Sequence, residues 1–285
     1  MLNYLLYRIG QFIALAVPLN IGYAIAGFIA DVRGMVARED KKAVTGNLKT
    51  IFPEKSDNEI EKLRIQMFRN FSKYLVDFFR FQKLNKDFIE KNVRIENSCF
   101  LDEAIAKGKG VIILTAHLGN WELGGVVAAL SGYSLWVVAL PHKDKLVDDF
   151  FNSQRQSKGI YVIPLGKAVR KCLTVLNEKK ILALVGDRDF TEKGALLDFF
   201  GRKSIFPEGP AAFTLKTGAS IIPGFMLRNQ DDSFTLRFEK AISHKQTTNT
   251  QKDVEEIIGR YITTFEDYIR KYPDQWYMFR RFWVS

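Results

Sequence analysis

The first part of the chain is a long apolar stretch. No charged residue occurs from Ile9 to Ala30, which is enough for a helix to cross a hydrocarbon layer of about 30 Å. Pro18 lies near its middle and three glycines interrupt it, so a pair of helices lying in one leaflet is an equally good interpretation. A buried helix pair in a soluble protein is the third alternative. We predict that residues 1–30 form an apolar helical segment that associates with a membrane.

Basic residues are denser after this stretch than before it. Arg8 stands alone on the first side, whereas five basic residues follow within 20 positions: Arg33, Arg38, Lys41, Lys42 and Lys49. Because cytoplasmic flanks are enriched in Lys and Arg, we expect the rest of the chain on the cytoplasmic side.

Residues 31–92 have a helical pattern. A polar connection is expected up to Phe52-Pro53, and Ser56 with Glu59 then has the form of a capping box, which predicts a helix start. Apolar residues follow at three- and four-residue spacing, which predicts one apolar face over about six turns: Ile60, Leu63, Met67, Phe68, Phe71, Leu75, Phe78 and Phe79.

From residue 93 to residue 285 short apolar runs alternate with amphipathic stretches. This order is typical of an α/β fold with a mixed, largely parallel sheet flanked by helices. The predicted strands are Val111–Thr115, Leu135–Leu140, Tyr161–Pro164, Ile181–Val185, Ile221–Leu227 and Phe234–Phe238, with an antiparallel pair around residues 229–232. The predicted helices are Lys145–Ser157, Lys167–Asn177, Pro210–Thr217 and Val254–Lys271.

Composition narrows the possible functions. The net charge of +10 suits nucleic acid, anionic lipid headgroups or an acidic protein. Nucleic acid is the weakest of the three, because no helix-turn-helix, RNP or zinc pattern is present. Cys99 and Cys172 are too few for a disulfide framework or a metal cluster, and the three histidines have no metal-binding spacing. We therefore expect no metal and a reducing environment.

His117 and Glu122 are the candidate catalytic pair. Gly119 and Asn120 would form a turn after the strand Val111–Thr115, so that His117 lies at its carboxyl end and Glu122 lies in the first turn of the next helix. A neutral histidine can take a proton from an alcohol, and a carboxylate can hold its ring. No GxSxG elbow is present, which favours direct attack by a substrate hydroxyl over a covalent acyl-enzyme. The alternative is that His117 is a structural turn residue.

The segment from His117 to Glu122 resembles the HxxxxD/E block of the glycerolipid and lysophospholipid acyltransferases, in particular the late acyltransferases of lipid A biosynthesis. Further segments resemble that branch in the same order along nearly the whole chain: Asn47-Leu48 with Phe52-Pro53, Gly186 to Phe190, Gly209-Pro210-Ala211, Ile222-Pro223, Pro273 to Trp276, and Arg280-Arg281. The sequence departs where relatives have Glu-Gly-Thr-Arg or Asp-x-Asp-x-Gly, because Pro210 and Ala211 follow Gly209, and Phe190, Thr191 and Glu192 follow Asp189.

The resemblance implies an enzyme that moves a fatty acyl group from acyl carrier protein, or acyl-coenzyme A, to a hydroxyl of a membrane glycolipid such as a lipid A precursor. It implies no further cofactor and a location on the cytoplasmic face of the inner membrane. The alternatives are an acyltransferase for another lysolipid or glycolipid, and a non-catalytic lipid-binding protein of the same fold.

The remaining candidate site residues are expected to bind substrate. Asp187, Arg188 and Asp189 close the strand Ile181–Val185 and would line a headgroup pocket, although the two carboxylates could equally cap loops. Guanidinium groups suit a phosphate or a developing oxyanion, which makes Arg155 and Arg170 candidates. The set is completed by two residues of the resembling segments, Asn120 and Gly209.

Overall fold

A computed structural model describes residues 1–190 and 194–284 of the chain. Thr191 and Glu192, where the sequence departs from its relatives, lie outside these described residues. The helices are α1 Leu2–Ala16, α2 Leu19–Val36, α3 Arg38–Ile51, α4 Asp57–Phe79, α5 Lys86–Asn92, α6 Ser98–Ala106, α7 Trp121–Leu130, α8 Lys145–Gln156, α9 Ala168–Asn177, α10 Gly209–Thr217 and α11 Thr250–Lys271. The strands are β1 Val93–Glu96, β2 Val111–Thr115, β3 Leu135–Ala139, β4 Tyr161–Pro164, β5 Ile181–Val185, β6 Ala195–Phe199, β7 Arg202–Phe206, β8 Ser220–Arg228 and β9 Phe234–Phe238.

Seven strands form one sheet in the order β1-β9-β8-β2-β5-β3-β4. Neighbours are parallel except β8 and β9, which run antiparallel through the turn around residues 229–232. Residues of β2 alternate between two hydrophobic cores: Ile112 and Leu114 belong to one, Val111 and Ile113 to the other. Because successive strand residues point to opposite faces, helices cover both faces of the sheet. The predicted mixed, largely parallel sheet is confirmed.

Several elements differ from the sequence interpretation. Strand β1 and the β6–β7 hairpin were not predicted. The predicted polar connection before Phe52 is helix α3, whose buried face comprises Ala43, Val44, Asn47, Leu48 and Ile51. Only four of these buried positions are apolar, and charged residues surround them, so the periodicity of α3 is hard to see in the sequence.

Helix α4 begins as predicted. The Ser56 hydroxyl accepts a hydrogen bond from the Glu59 backbone N–H at 3.4 Å, and the Glu59 carboxylate accepts one from the Ser56 N–H at 2.9 Å. This reciprocal pair satisfies two donors that a helix start would otherwise leave unpaired.

The N-terminal stretch forms two helices that part at Pro18. The buried face of α2 includes Tyr23, Ala26 and Ala30 and packs on α4, where Gly22 lies against Val76. The opposite face is apolar yet open, with Phe28 69% exposed. Among the described residues, α2 is the one helix whose length and composition would let it cross a membrane. The apolar N-terminal helical segment is confirmed, while the division at residues 30 and 92 stays a prediction.

Candidate active site

His117 and Asp187 lie side by side because their strands do. In the parallel pair of β2 and β5, Thr115 is level with Val185. Two residues beyond each lie His117 and Asp187, and the imidazole Nδ1 is 2.6 Å from Asp187 Oδ1. The backbone N–H of His117 also donates to Asp187 Oδ2 at 3.1 Å. The site therefore forms at the carboxyl ends of the central strands.

Asp187 is an ionised carboxylate that is shielded from solvent. Its residue is fully buried, and the Trp276 indole N–H donates to Oδ2 at 3.0 Å. Burial acts to raise the pKa of Asp187, but the charge and hydrogen bond of His117, followed by Arg188 and Trp276, lower it to about 2. Because an ionised carboxylate can only accept, Nδ1 of His117 carries the hydrogen and Nε2 is left to take a proton.

The short segment after His117 is held on both sides. The His117 carbonyl accepts a hydrogen bond from the Tyr277 N–H at 2.8 Å, and the Gly119 N–H donates one to the Gln275 carbonyl at 2.8 Å. Gly119 has a φ of +66°, and a Cβ atom there would come within 2.0 Å of the Met226 carbonyl oxygen. Only glycine fits this backbone approach, so the turn that presents the imidazole is rigid.

Glu122 contacts an arginine rather than the imidazole. Its Oε1 accepts from Arg155 Nη2 at 2.6 Å and its Oε2 from Arg155 Nε at 2.9 Å. Both side chains are nearly buried, and a two-pronged guanidinium–carboxylate pair is the strongest geometry for such a contact. Burial acts to lower the pKa of Arg155, but Glu122 raises it.

The expectation that Glu122 orients His117 is therefore corrected, since Asp187 holds the ring. The physical reason is the position of the two helices: α8 brings Arg155 to the first turn of α7. The Trp121 ring contacts the imidazole edge-on at a centroid distance of 5.1 Å, which supports the ring from the α7 side.

Asn120 is a structural residue and not part of the cavity wall. Its Oδ1 caps α7 by accepting from the Leu123 N–H at 3.1 Å, and its Nδ2 donates to Asp77 at 2.7 Å. The side chain is 2% exposed. The predicted contact of Asn120 with substrate is thus corrected, because both ends of its amide are already engaged.

A cavity of about 660 Å³ opens beside His117. Glu122 and Arg155 also line it, and the predicted substrate-binding residues Arg188, Asp189 and Gly209 do so too. Arg170 is exposed on α9 and is not among the described residues that line the cavity. Much of the wall is apolar and comes from both sides of the sheet, including Ile113, Ala128, Leu135, Val137, Phe213 and Leu236. An apolar cavity with a few polar groups at one end suits a long hydrocarbon chain with a reactive head.

Two site residues were assigned differently from the sequence. Asp187 was expected to bind substrate, and the role of Trp276 was not recognised. The signal for Asp187 was present, because His117 and Asp187 each follow a buried apolar run at the same distance. Nothing local indicates Trp276, which reaches the site through an isolated antiparallel bridge to Leu118.

The whole chain matches one known protein family, and most of it is similar to several known proteins. Residues 1–285 match the family described as bacterial lipid A biosynthesis acyltransferase. Phosphatidylinositol mannoside acyltransferase of Mycolicibacterium smegmatis is 26% identical over 220 residues, 76% of this chain and 70% of that protein. Lipid A biosynthesis acyltransferase of Haemophilus influenzae is 21% identical over 261 residues, 91% of this chain and 80% of that protein. Lipid A biosynthesis palmitoleoyltransferase of Escherichia coli is 23% identical over 220 residues, 75% of this chain and 71% of that protein.

Proposed function

Because the chain belongs to the bacterial lipid A biosynthesis acyltransferase family, and is thus an O-acyltransferase, we propose that it moves a fatty acyl group from a thioester to a glycolipid hydroxyl. The donor is acyl carrier protein or coenzyme A. The observation that carries the proposal is the hydrogen bond between His117 and the buried Asp187 beside an apolar cavity of about 660 Å³. A precursor of lipid A is the proposed acceptor, and a mannosylated phosphatidylinositol is the alternative that the mycobacterial relatives favour.

The reaction proceeds by direct attack. Nε2 of His117 takes the proton of the acceptor hydroxyl as its oxygen attacks the thioester carbonyl carbon. The tetrahedral intermediate collapses, the C–S bond breaks, and the imidazolium returns the proton to the departing thiolate. The products are an ester and a free thiol. Asp187 holds the imidazole in the required tautomer and stabilises its positive charge.

Neither cysteine is suited to carry the acyl group. Cys172 lines the cavity, but burial raises the pKa of its thiol to about 12. Because the thiolate is the nucleophile, almost none is present at neutral pH. Cys99 is exposed on α6 and is not among the described cavity residues.

The substrate is tested by purified-enzyme assays and by lipid analysis. Fatty acyl thioesters of carrier protein and of coenzyme A are each mixed with lipid A precursors or with mannosylated phosphatidylinositol, and products are identified by mass spectrometry. Lipids from cells with and without the gene are compared in parallel. A missing acyl chain on one glycolipid in the deletion strain identifies the acceptor. Wild-type protein that transfers no acyl group to any glycolipid from either donor would contradict the proposal.

We further propose that α1 and α2 hold the protein on the cytoplasmic face of the inner membrane. Their outer faces are apolar, with Phe12 73% and Phe28 69% exposed, and basic residues follow them. The double variant Phe12→Glu/Phe28→Glu should leave the membrane fraction while its circular dichroism stays unchanged. Leu196→Glu, on exposed β6, is the control and should remain bound. Equal membrane association of both variants would exclude these helices as the anchor.

A further inference from the structure

A second, smaller cavity of about 190 Å³ adjoins the candidate active site. Arg188 and Asp189 line both cavities, so the two are neighbours. The smaller one is distinctly basic: Arg188, Arg280 and Arg281 all line it. Arg280 and Arg281 belong to the C-terminal segment that the sequence singles out and that the transfer chemistry above does not use.

The positive charge of this cavity is only partly balanced. Its three guanidinium groups outnumber its two carboxylates, Asp187 and Asp189. Asp187 is already bonded to His117 and Trp276. Burial and the like charge of Arg280 lower the pKa of Arg188 against the opposing effect of Asp187. Such crowding of like charges is relieved when an anion binds between them.

Arg188 has unused hydrogen-bonding capacity. Its Nη2 donates to the Tyr277 carbonyl. Its Nε is buried and has no hydrogen-bond partner within the described residues. A buried donor without an acceptor is costly, and the cost falls if a ligand supplies one after a small side-chain shift.

The backbone that carries Arg280 and Arg281 is fixed. The Asn47 amide of α3 donates to the Arg280 carbonyl at 2.8 Å and accepts from the Phe282 N–H at 3.3 Å. The Phe282 carbonyl in turn accepts from the Ser204 hydroxyl at 3.2 Å. The Arg280 guanidinium lies over the Phe190 ring, 5.6 Å from its centroid. The two arginines are therefore presented by an anchored segment, as a binding site requires.

From this geometry we propose that Arg188, Arg280 and Arg281 bind a phosphate ester group of one substrate, a proposal that rests on the acyl-transfer function above. Guanidinium groups bind phosphate oxygens through paired N–H donors, and a cluster of three suits a phosphate ester that carries one or two negative charges. Because Arg188 also lines the main cavity, the phosphate lies where the two cavities meet. It belongs either to the phosphopantetheine arm of the donor or to a phosphorylated acceptor headgroup.

The test compares substrates with and without the phosphate. Arg280→Gln/Arg281→Gln is assayed beside the control Arg202→Gln. Arg202 is an exposed arginine of β7 that donates to the Thr50 hydroxyl at 3.4 Å, and it is not among the described residues that line either cavity. Donors are acyl-phosphopantetheine and acyl-pantetheine; acceptors are the phosphorylated glycolipid and its dephosphorylated form. We expect the double variant to raise KM for one phosphorylated substrate about tenfold or more, and to leave its phosphate-free counterpart unchanged. Arg202→Gln should match wild type on all four.

Each outcome decides the proposal. A selective effect on acyl-phosphopantetheine assigns the site to the donor, and one on the phosphorylated acceptor assigns it to the headgroup. Equal losses with and without phosphate in both pairs would overturn it. If wild-type protein transfers no acyl group, calorimetric titration with phosphopantetheine and with inorganic pyrophosphate still tests the site. The proposal is supported if the ligand binds wild type and Arg202→Gln but does not bind Arg280→Gln/Arg281→Gln. Identical titrations of all three proteins refute it.

Discussion

Asp187 and Glu122 are both carboxylates of the candidate site, and the chain brings them there by different routes. Glu122 is five residues away in sequence, in the first turn of α7, yet both of its oxygens bind Arg155. Asp187 is 70 residues away, and it bonds to the imidazole at 2.6 Å. The distant residue makes the contact because β2 and β5 are adjacent and in register, whereas the near one is turned towards α8.

The two carboxylates have different contacts and therefore different tasks at the site. Asp187, fully buried and kept ionised with a pKa of about 2, fixes the tautomer of the base. Glu122 instead fixes Arg155, and both of these side chains line the cavity. In the proposed mechanism one carboxylate thus acts on the base, and the other acts on a cation of the cavity wall. Substitutions at His117, Asp187 and Glu122 should therefore differ in how much they lower kcat and in whether they also lower stability.

His117→Ala should have the largest effect. It removes the group that we propose takes the proton from the acceptor hydroxyl, so kcat should fall by roughly 10²–10⁴-fold, the range for loss of a general base. Folding should be little changed, since the ring lies at the cavity wall. Steady-state transfer rates and thermal unfolding are measured together. Turnover within a few-fold of wild type would exclude His117 as the base.

Asp187→Asn should rank second, with kcat lower by on the order of 10²-fold. An amide can accept a hydrogen bond from Nδ1–H through its oxygen or donate one to an unprotonated Nδ1 through its NH₂ group, so it no longer enforces the tautomer that leaves Nε2 free. Asp198→Asn, in an exposed ion pair with Lys203, is the matched control and should retain full activity. If Asp187→Asn is as active as this control, the carboxylate that orients the base lies elsewhere.

The same substitution should change acid stability. The folded pKa of Asp187 is lowered from 3.8 to about 2, so its ionised form contributes stability above pH 4 that is lost as the pH falls through about 2. The shift corresponds to about 2 kcal/mol. Asp187→Asn should be less stable than wild type at pH 7 by an amount that shrinks towards pH 2. Urea unfolding followed by circular dichroism at several pH values measures this, and a difference independent of pH would contradict the assignment.

Glu122→Gln should have a smaller effect on turnover, about tenfold, together with a marked loss of stability. Arg155 would be left nearly buried without its counter-charge, which costs about 3 kcal/mol. The double variant Glu122→Gln/Arg155→Met removes both charges and should recover much of the stability but little of the activity. A double variant no more stable than Glu122→Gln alone would show that the pair is not coupled.

Much of this architecture could be predicted from the sequence, and the limits have physical causes. Six strands of the sheet were identified by their apolar runs, and the start of α4 by its capping box. The family resemblance is confirmed by the match over residues 1–285. The partner of His117 could not be derived from local spacing, because it depends on which strands are neighbours and in which register. That information is in the β2–β5 pairing, not in the segment from His117 to Glu122.

Helix α3 and Trp276 show the same limit. The short apolar face of α3 is specified by what packs on it, including the C-terminal segment that Asn47 holds. Trp276 reaches Asp187 across 89 positions of the chain. Local helix and strand propensities contain no information about contacts between residues far apart in sequence, so these contacts can be identified only in the folded structure.

Cys172→Ala should have the smallest effect, and it tests whether the Cys172 thiol carries the acyl group during transfer. The thiol lines the cavity and is the one cysteine placed to receive an acyl group. Its pKa of about 12 leaves on the order of one thiolate in 10⁵ at neutral pH, too few to support turnover through a thioester on the enzyme. Cys172→Ala should therefore transfer acyl groups at a rate within about twofold of wild type, as should the control Cys99→Ala at an exposed position of α6. Because Cys172 is buried, Cys172→Ala should also lower the free energy of unfolding by about 1 kcal/mol through lost packing. Mass spectrometry of the intact protein during turnover, quenched in acid, completes the test: an acyl adduct on Cys172 in wild type, together with an inactive but folded Cys172→Ala, would replace direct transfer by a two-step mechanism.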